Sequence, residues 1–293
     1  MDTITTTPPL LVIIGETASG KSALALKLAQ AFNGEIIVGD ARTVYRGMDI
    51  GTAKPSTADR QLVPHHLLDI MNPYEVINAS MFKELVLRKI NDITERGALP
   101  ILVGGSGLYV DSVLFDYEFR QPADLENRAE LQDLSVADLQ KQLAEQGIPL
   151  PRNSANSRHL VRSLETGGQI ATKSPMRSNT CVLGLEISRE QLTRNVIERV
   201  EAMFVAGLEK EVRDLVGRYG WDSQLSQTIG YKEFKSYFSG VITEDELKSL
   251  IVRDTLAYAK RQRTWFRRNK LINYICSQDE SVALVTTWLN NSE

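Results

Sequence analysis

The sequence predicts an α/β protein in which helices flank a parallel sheet, with a small, shortened helical insertion and a helical C-terminal part. Three observations support this fold class. Short apolar runs alternate with helical patterns over the first 115 residues, as in a sheet with crossover helices. A glycine-rich loop follows the first apolar run. A charged stretch without strand signals follows residue 115, and most of the later sequence has helical patterning.

The elements follow from apolar runs bounded by Gly, Pro or polar residues. We expect strands at Leu10–Ile14, Glu35–Gly39, Leu99–Val103 and Cys181–Ile187, and helices over Lys21–Phe32, Ala79–Arg96 and Arg158–Glu165. The predicted division is a core over 1–115, an insertion over 116–157, the rest of the core with a helical region over 158–277, and a polar tail over 278–293 to which no function is assigned.

The most informative motif lies between the first strand and the first helix. It reads Gly15-Glu16-Thr17-Ala18-Ser19-Gly20-Lys21-Ser22, a complete G-x-x-x-x-G-K-S sequence. In this context several backbone N–H groups point at one spot, and the helix N-terminus adds partial positive charge. The lysine supplies a mobile cation and the serine a hydroxyl suited to Mg²⁺. The motif predicts a P-loop NTPase-like sheet and a nucleotide, phosphate or diphosphate ligand; the alternative is a glycine-rich turn without a ligand.

Composition sets the remaining limits. The chain has 293 residues, 42% of them hydrophobic, which is enough for a substantial core, and its formal net charge is −3. Cys181 and Cys276 are far apart, so we expect neither a disulfide framework nor a zinc site. Met1–Pro9 does not resemble a signal or transit peptide, and no apolar stretch is long enough to span a bilayer. We expect a cytoplasmic monomer without membrane contact.

Two further features lie at predicted strand ends, beside the glycine-rich loop. Asp40 follows the second strand and is a candidate proton acceptor or outer Mg²⁺ ligand; the alternative is an Asp that caps a turn. Gly104-Gly105-Ser106-Gly107 follows the third strand, as a flexible loop over the same pocket or as a tight turn. Lys54 is either a second cation for a diphosphate or a solvated loop lysine.

A basic segment points to nucleic acid. Arg253–Lys270 carries seven bases against one acid on a predicted helix, with three aromatic residues between them. Bases can follow a phosphate backbone, and aromatic rings can stack on unpaired bases. A smaller group of bases occurs at Arg158–Arg162. The alternative is a basic surface helix whose aromatic residues are buried.

Six motifs in a shared order extend this interpretation. They are G-x-T-A-S-G-K-S at Gly15, V-Y-R-G-M-D-I-G-T-A-K-P at Val44, H-H-L-L-D-I at His65, G-G-S-G-L-Y at Gly104, I-G-Y-K-E at Ile229 and A-K-R-Q-x-T-W-F-R at Ala259. With them the chain resembles, from about Leu11 to Arg268, the bacterial tRNA dimethylallyltransferases of the IPP transferase family. These enzymes move a dimethylallyl group from its diphosphate to the exocyclic amine of the adenine 3′ of the anticodon.

The resemblance implies roles for matching residues. Asp40 would accept the proton of the adenine amine, with Ser106 and Lys21 as further catalytic residues. The donor diphosphate and Mg²⁺ would be held by the glycine-rich loop, Gly15, Glu16, Thr17, Ala18, Ser19, Gly20, Lys21 and Ser22, with Ser22 as the metal ligand. The implied partners are dimethylallyl diphosphate and the anticodon stem-loop of tRNA. The residues that match tRNA-contacting positions are Asp40, Ala41, Arg42, Thr43, Ser106, Arg128, Arg158, His159, Leu160, Val161, Arg162, Gln227, Thr228, Ile229, Gly230, Tyr231, Lys232, Lys260, Arg261, Gln262, Arg263, Thr264, Trp265, Phe266 and Arg267.

The chain departs from the family pattern in three places. Ala41 stands where Ser is usual and Thr43 where Gln or Leu is common. Ser106 replaces a Thr and keeps the hydroxyl. The region between Arg128 and Arg158 is shorter than usual. Three other functions stay open at this point: an adenylate isopentenyltransferase that makes free cytokinin, a small-molecule kinase that consumes ATP, and a tRNA-binding homologue with impaired catalysis.

Overall fold

The computed structural model describes residues 7–119, 125–170, 172–275 and 277–291. The predictions about the start of the N-terminal segment, residues 1–6, and about Cys276 lie outside this range. The chain forms two compact units. The sheet unit contains the part up to Leu114 and the part from Arg177 on, and the helical unit runs from Phe115 to Met176.

The sheet unit is built on parallel strands, as the sequence predicts. Within the described residues the strands are β1 (Leu10–Gly15), β2 (Gly34–Val38), β3 (His65–His66), β4 (Leu99–Gly104), β5 (Thr180–Leu185) and β6 (Asn273–Ile275). They form one sheet in the order β3-β2-β4-β1-β5-β6, and every pairing is parallel. The four predicted strands are confirmed as β1, β2, β4 and β5. The edge strands β3 and β6 were not predicted, because two and three residues are too few to form a recognisable strand pattern.

Helices flank this sheet and also form the second unit. In chain order they are α1 (Lys21–Ala31), α2 (Thr57–Leu62), α3 (Ala79–Glu95), α4 (Gly107–Leu114), α5 (Leu125–Gln132), α6 (Val136–Glu145), α7 (Ser157–Glu165), α8 (Arg189–Val205), α9 (Leu208–Tyr219), α10 (Phe234–Phe238), α11 (Glu244–Phe266) and α12 (Gln278–Asn290), with a 3₁₀ turn at Gln224–Gln227. None of the helices within the described ranges is long and apolar enough to cross a membrane.

The four central strands, β1, β2, β4 and β5, are mostly buried, which explains their largely apolar sequences. All six residues of β1 are buried. One side of the sheet packs on α1 and α12, where Leu28 and Val285 are fully buried together with Leu11 and Ile13 of β1. Helix α3 packs on β2 and β4, and α11 packs on β1. This packing fixes the carboxyl ends of β2, β4 and β1 side by side.

The C-terminal segment belongs to the core, which differs from the predicted polar tail. Strand β6 pairs with β5, and α12 follows it. Val282, Val285 and Leu289 recur at helical spacing, and all three pack in the core cluster that contains β1. Most polar residues of α12 lie on its solvent-facing side.

The helical unit ends later than the predicted boundary at residue 157. Leu139 and Leu143 of α6 pack against Leu160 and Val161 of α7, and all four are buried in a separate small core. Because α7 supplies two of the five buried residues of that core, it folds with the insertion and not with the sheet unit, in which the sequence places residues 158–165. Asn156 caps α7 by accepting a hydrogen bond from the N–H of Arg158.

Candidate active site

The glycine-rich loop, Gly15–Ser22, joins β1 to α1 and is called the phosphate loop below. Gly20 has a φ of 91°, a left-handed conformation that favours glycine, and α1 begins at the next residue. Because Gly20 has no side chain, no side-chain cap occupies the N–H groups of the first turn of α1. These donors and the helix dipole make the start of α1 suited to an anion.

Lys21 carries the positive charge of this loop. Its Nζ donates to the carbonyl oxygen of Glu16 at 3.2 Å, which keeps the side chain folded over the loop. Burial and the nearby Arg199 guanidinium lower the pKa of Lys21 to about 8, while the carboxylates of Asp40 and Glu16 act in the opposite direction. The amine is therefore mostly protonated at neutral pH, and it loses its charge within the accessible alkaline range.

Helix α11 holds the phosphate loop from one side. The N–H of Thr17 donates to Oε1 of Gln262 at 2.8 Å, and Nε2 of Gln262 donates to the carbonyl of Gly105 at 2.9 Å. Arg263 forms a two-point ion pair with the buried carboxylate of Glu16. The Glu16 side chain is thus committed to Arg263, which leaves only the backbone of Glu16 for the predicted contact with a diphosphate. The two loops at the ends of β1 and β4 are tied together through Gln262.

Asp40 lies where β2 ends, one residue beyond Gly39. Its Oδ1 accepts a hydrogen bond from the N–H of Arg42 at 2.8 Å, and the hydroxyl of Ser106 accepts from the N–H of Ala41 at 3.3 Å. The strand ends are in close contact, since a Cβ at position 104 would lie 2.0 Å from the carbonyl oxygen of Gly39. Only glycine at position 104 allows the ends of β2 and β4 to approach this closely. Asp40 and Ser106, which follow these two strands, are therefore brought side by side.

Two cavities meet at Asp40. The larger, of about 480 Å³, is bordered by Ala41, Arg42, Ser106 and the segment Gln227–Gly230. The smaller, of about 200 Å³, contains Lys21 and Ser22 of the phosphate loop together with apolar residues of α1 and β2. Four residues line both cavities, and they are Thr17, Asp40, Thr52 and Arg199. The carboxylate thus lies at the junction between the space beside the glycine-rich loop and a second, larger space.

Two residues that line the larger cavity are absent from the site residues implied by the resemblance. Arg199 lies on α8, and burial lowers its pKa while Asp40 raises it. Val196, Val200 and Met203 of the same helix are buried. Arg199 falls at the same helical spacing as these apolar residues, and a charged residue in that position is the feature of the sequence that could have indicated it. Tyr258 of α11 lines the larger cavity, and burial raises its pKa, while hydrogen bonds to Ser106 and Gln262 oppose that shift.

Lys54 is neither a solvated lysine nor an available cation for a diphosphate. Its Nζ donates to Asp69 at 2.5 Å, to Asp49 at 2.7 Å and to the carbonyl of Tyr45 at 2.5 Å. Only 1% of its side chain is exposed, although the residue borders the smaller cavity. All three protons of the ammonium group therefore have acceptors inside the protein. Lys54 fixes the wall of the cavity instead of reaching into it.

The stretches predicted to contact tRNA separate into cavity-lining and buried residues. In the sheet unit, Asp40, Ala41, Arg42, Ser106, Gln227, Thr228, Ile229, Gly230, Lys232 and Arg261 line the larger cavity. Lys260, Thr264 and Arg267 are exposed on α11. Thr43, Tyr231, Gln262 and Phe266 are buried, and Trp265 donates from Nε1 to Asp111 at 2.7 Å. The buried face of α11 is therefore structural, whereas its exposed face keeps the basic residues.

The remaining predicted tRNA contacts belong to the helical unit. Arg158 and His159 are exposed on α7, whereas Leu160 and Val161 are buried in the small core of that unit. Glu165 forms ion pairs with Arg162 at 3.1 Å and with Arg128 at 3.4 Å. The side chains of Leu160 and Val161 thus pack inside the protein, which differs from their predicted role, and the basic residues of this group remain at the surface.

A parallel sheet with a phosphate loop at the end of β1, and a carboxylate between two cavities, defines an α/β protein of the phosphate-loop type. The model of the IPP transferase family matches residues 43–269. A tRNA dimethylallyltransferase of Roseiflexus sp. (strain RS-1) is 40% identical, over 96% of this chain and 99% of its own length. The corresponding protein of Exiguobacterium sp. (strain ATCC BAA-1283 / AT1b) is 41% identical, over 88% of this chain and 87% of its own.

A solved structure agrees with these relatives. The crystal structure of the full-length tRNA isopentenylpyrophosphate transferase from Bacillus halodurans is 35% identical to this chain and has a TM-score of 0.75. The alignment covers 98% of this chain and 97% of that structure. The chain belongs to the IPP transferase family.

Proposed function

We propose that the protein transfers the dimethylallyl group of dimethylallyl diphosphate to the N6 amine of the adenine 3′-adjacent to the anticodon of tRNA, and releases diphosphate. The observation that carries the proposal is the place of Asp40. Its carboxylate borders both the smaller cavity, with Lys21 and Ser22, and the larger cavity. A transfer between two substrates needs adjoining sites, and of the four residues that border both cavities Asp40 is the one with a carboxylate that can accept a proton.

The donor occupies the smaller cavity in this proposal. Its diphosphate accepts hydrogen bonds from the N–H groups at the start of α1, and the Lys21 ammonium and the Arg199 guanidinium lie on the same cavity wall. Ala25, Leu26 and Val38 supply apolar surface for the prenyl group. Positive charge around the leaving group stabilises the negative charge that develops when the allylic C–O bond breaks.

A magnesium ion fits this site as a partner of the diphosphate. Among the described residues, no group of three or more His, Cys, Asp and Glu side chains could hold a metal. Mg²⁺ needs few protein ligands when substrate phosphates complete its shell. The exposed hydroxyl of Ser22 at the start of α1 would be one ligand, with Asp40 of the same cavity as an outer one. The ion would supply charge to the leaving diphosphate.

The acceptor adenine occupies the larger cavity. Its N6 lone pair attacks C1 of the dimethylallyl group, the C1–O bond breaks, and the electron pair leaves with diphosphate. The proton of the alkylated amine goes to the carboxylate of Asp40, the group at the junction. Because the adenine must enter a cavity, it leaves its stack in the anticodon loop, which costs little in a single-stranded loop. The exposed bases Lys260, Arg261 and Arg267 of α11 are suited to phosphates of the same RNA.

The test is a product assay. Purified protein is incubated with dimethylallyl diphosphate, Mg²⁺ and a tRNA that has adenines 3′ of its anticodon, and the digested RNA is analysed by mass spectrometry. Isopentenyladenosine is the expected product. Parallel reactions with AMP as acceptor, or with ATP as donor, report an adenylate isopentenyltransferase or a kinase. Product only on AMP, only a phosphorylated product, or none on tRNA that is bound normally, would contradict the proposal.

A further inference from the structure

The carboxylate of Glu211 lies outside both cavities and forms hydrogen bonds to two segments that border the larger one. Glu211 of α9 accepts four hydrogen bonds. Its Oε2 accepts from the N–H groups of Asp49 at 3.1 Å and Ile50 at 2.8 Å. Its Oε1 accepts from the N–H of Gly51 at 3.1 Å and from the hydroxyl of Tyr231 at 2.6 Å. Three successive backbone donors around one carboxylate form a compact anion-binding turn.

The two segments held by Glu211 are in contact with each other and both border the larger cavity. Gly51 lines that cavity, and Thr52 lines both cavities. Tyr231 is fully buried, and its neighbours Gly230 and Lys232 line the larger cavity. The contact between the segments is tight, because a Cβ at Gly51 would lie 2.4 Å from the Tyr231 ring. The position of the segment around Gly51 therefore depends on that of the segment around Tyr231, and Glu211 bonds to both.

We propose that Glu211 is a positioning residue that sets the geometry of the acceptor cavity, with Tyr231 as its partner. The inference rests on the proposed function, since it assigns the larger cavity to the adenine. Glu211 does not line either cavity, so it acts only through its partners, the backbone of Asp49–Gly51, which leads into Thr52, and the hydroxyl of Tyr231. When this carboxylate is lost, the adenine amine is misplaced relative to C1 of the donor, and the chemical step slows.

The donor and acceptor pattern makes Glu211→Gln a sharp perturbation. All four partners of the carboxylate are donors, so both oxygens must accept. A glutamine has nearly the same shape, but its NH₂ group would face either the N–H groups of Asp49 and Ile50 or the N–H of Gly51 without a lone pair to offer, even where the Tyr231 hydroxyl turns to accept. Tyr231→Phe removes one donor and keeps the ring against Gly51, so it is the milder variant. Glu209→Gln is the matched control, because Glu209 lies on the same helix and pairs with the surface residue Arg213.

The experiment compares these variants by single-turnover rate, donor affinity and tRNA affinity. The rate is expressed per donor-binding site, counted by titration calorimetry with dimethylallyl diphosphate, so that a loss of folded protein does not affect it. Positioning errors of about 1 Å cost roughly a hundredfold in rate. We expect about that loss for Glu211→Gln and about tenfold for Tyr231→Phe, with both affinities within about twofold of the parent and no change for Glu209→Gln.

The rate per site and the donor affinity of Glu211→Gln distinguish a positioning role from a general structural role. An unchanged rate per site in Glu211→Gln would overturn the inference, as would a parallel loss of donor affinity, which indicates a general structural role. If Glu211→Gln does not fold, Tyr231→Phe decides in the same way. Failure of the proposed function is distinct, because the parent protein would then give no prenylated tRNA under the same conditions.

Discussion

Gln262→Met tests whether α11 positions the phosphate loop. The parent amide bridges the N–H of Thr17 and the carbonyl of Gly105, and only 4% of Gln262 is exposed. Methionine keeps the length of the side chain but offers neither partner a strong hydrogen bond. Each orphaned buried group costs about 1–3 kcal/mol. Thr17 borders both cavities, so solvent can partly satisfy its N–H, and we expect a total loss of about 2–4 kcal/mol in the free energy of unfolding.

Two assays measure the effect. Urea unfolding gives the stability loss, and steady-state kinetics give KM for dimethylallyl diphosphate, which we expect to rise about tenfold as the loop loosens by roughly 1.4 kcal/mol. Gln132→Met is the control, because Gln132 is an exposed glutamine of α5, in the helical unit. If Gln262 instead contacts tRNA, as the family resemblance implies, the affinity for tRNA would fall while stability and donor KM stay unchanged. That result would refute the structural argument.

Two further predictions concern charge and packing. Since the pKa of Lys21 is lowered to about 8, its positive charge is lost as the pH rises above that value. The kcat/KM for the donor should therefore fall by up to about tenfold per pH unit between pH 8 and 10. In Lys21→Arg the kcat/KM should not change over this pH range, because arginine keeps its charge. A kcat/KM of the parent that does not change with pH there would contradict this prediction. Val285→Ala should cost about 2 kcal/mol in urea unfolding, because the side chain is fully buried against α1. A loss below about 0.5 kcal/mol would mean that α12 is dispensable for the core.

The parts of the fold that sequence reasoning predicted are those with long local patterns. Strands β1, β2, β4 and β5 are continuous apolar runs, so the parallel sheet and the position of the phosphate loop followed directly. Strand β6 has three residues, and its pairing with β5 depends on a distant part of the chain. The placement of α7 in the helical unit also depends on tertiary packing, since an apolar stripe predicts that the helix is buried on one side but not which residues cover it.

The candidate site divides in the same way. Asp40, Lys21 and Ser106 were predictable because each follows a strand of a parallel sheet, where ligands bind. Gln262 and Arg199 were not assigned these positions, because nothing local indicates that they meet the phosphate loop or Asp40. Thr17 and Gln262 are 245 positions apart in the chain. A basic, aromatic helix pattern shows that one face is buried, but not which partner covers it.

The central claim is that Asp40 accepts the amine proton at the junction of two substrate sites. The most direct test is the single-turnover rate of Asp40→Asn with saturating tRNA and dimethylallyl diphosphate, together with its affinity for tRNA. Asparagine keeps the shape but cannot accept the proton, so we predict a fall of about 10²–10⁴ in the rate, with tRNA affinity within about twofold of the parent. A rate equal to that of the parent protein would contradict the claim.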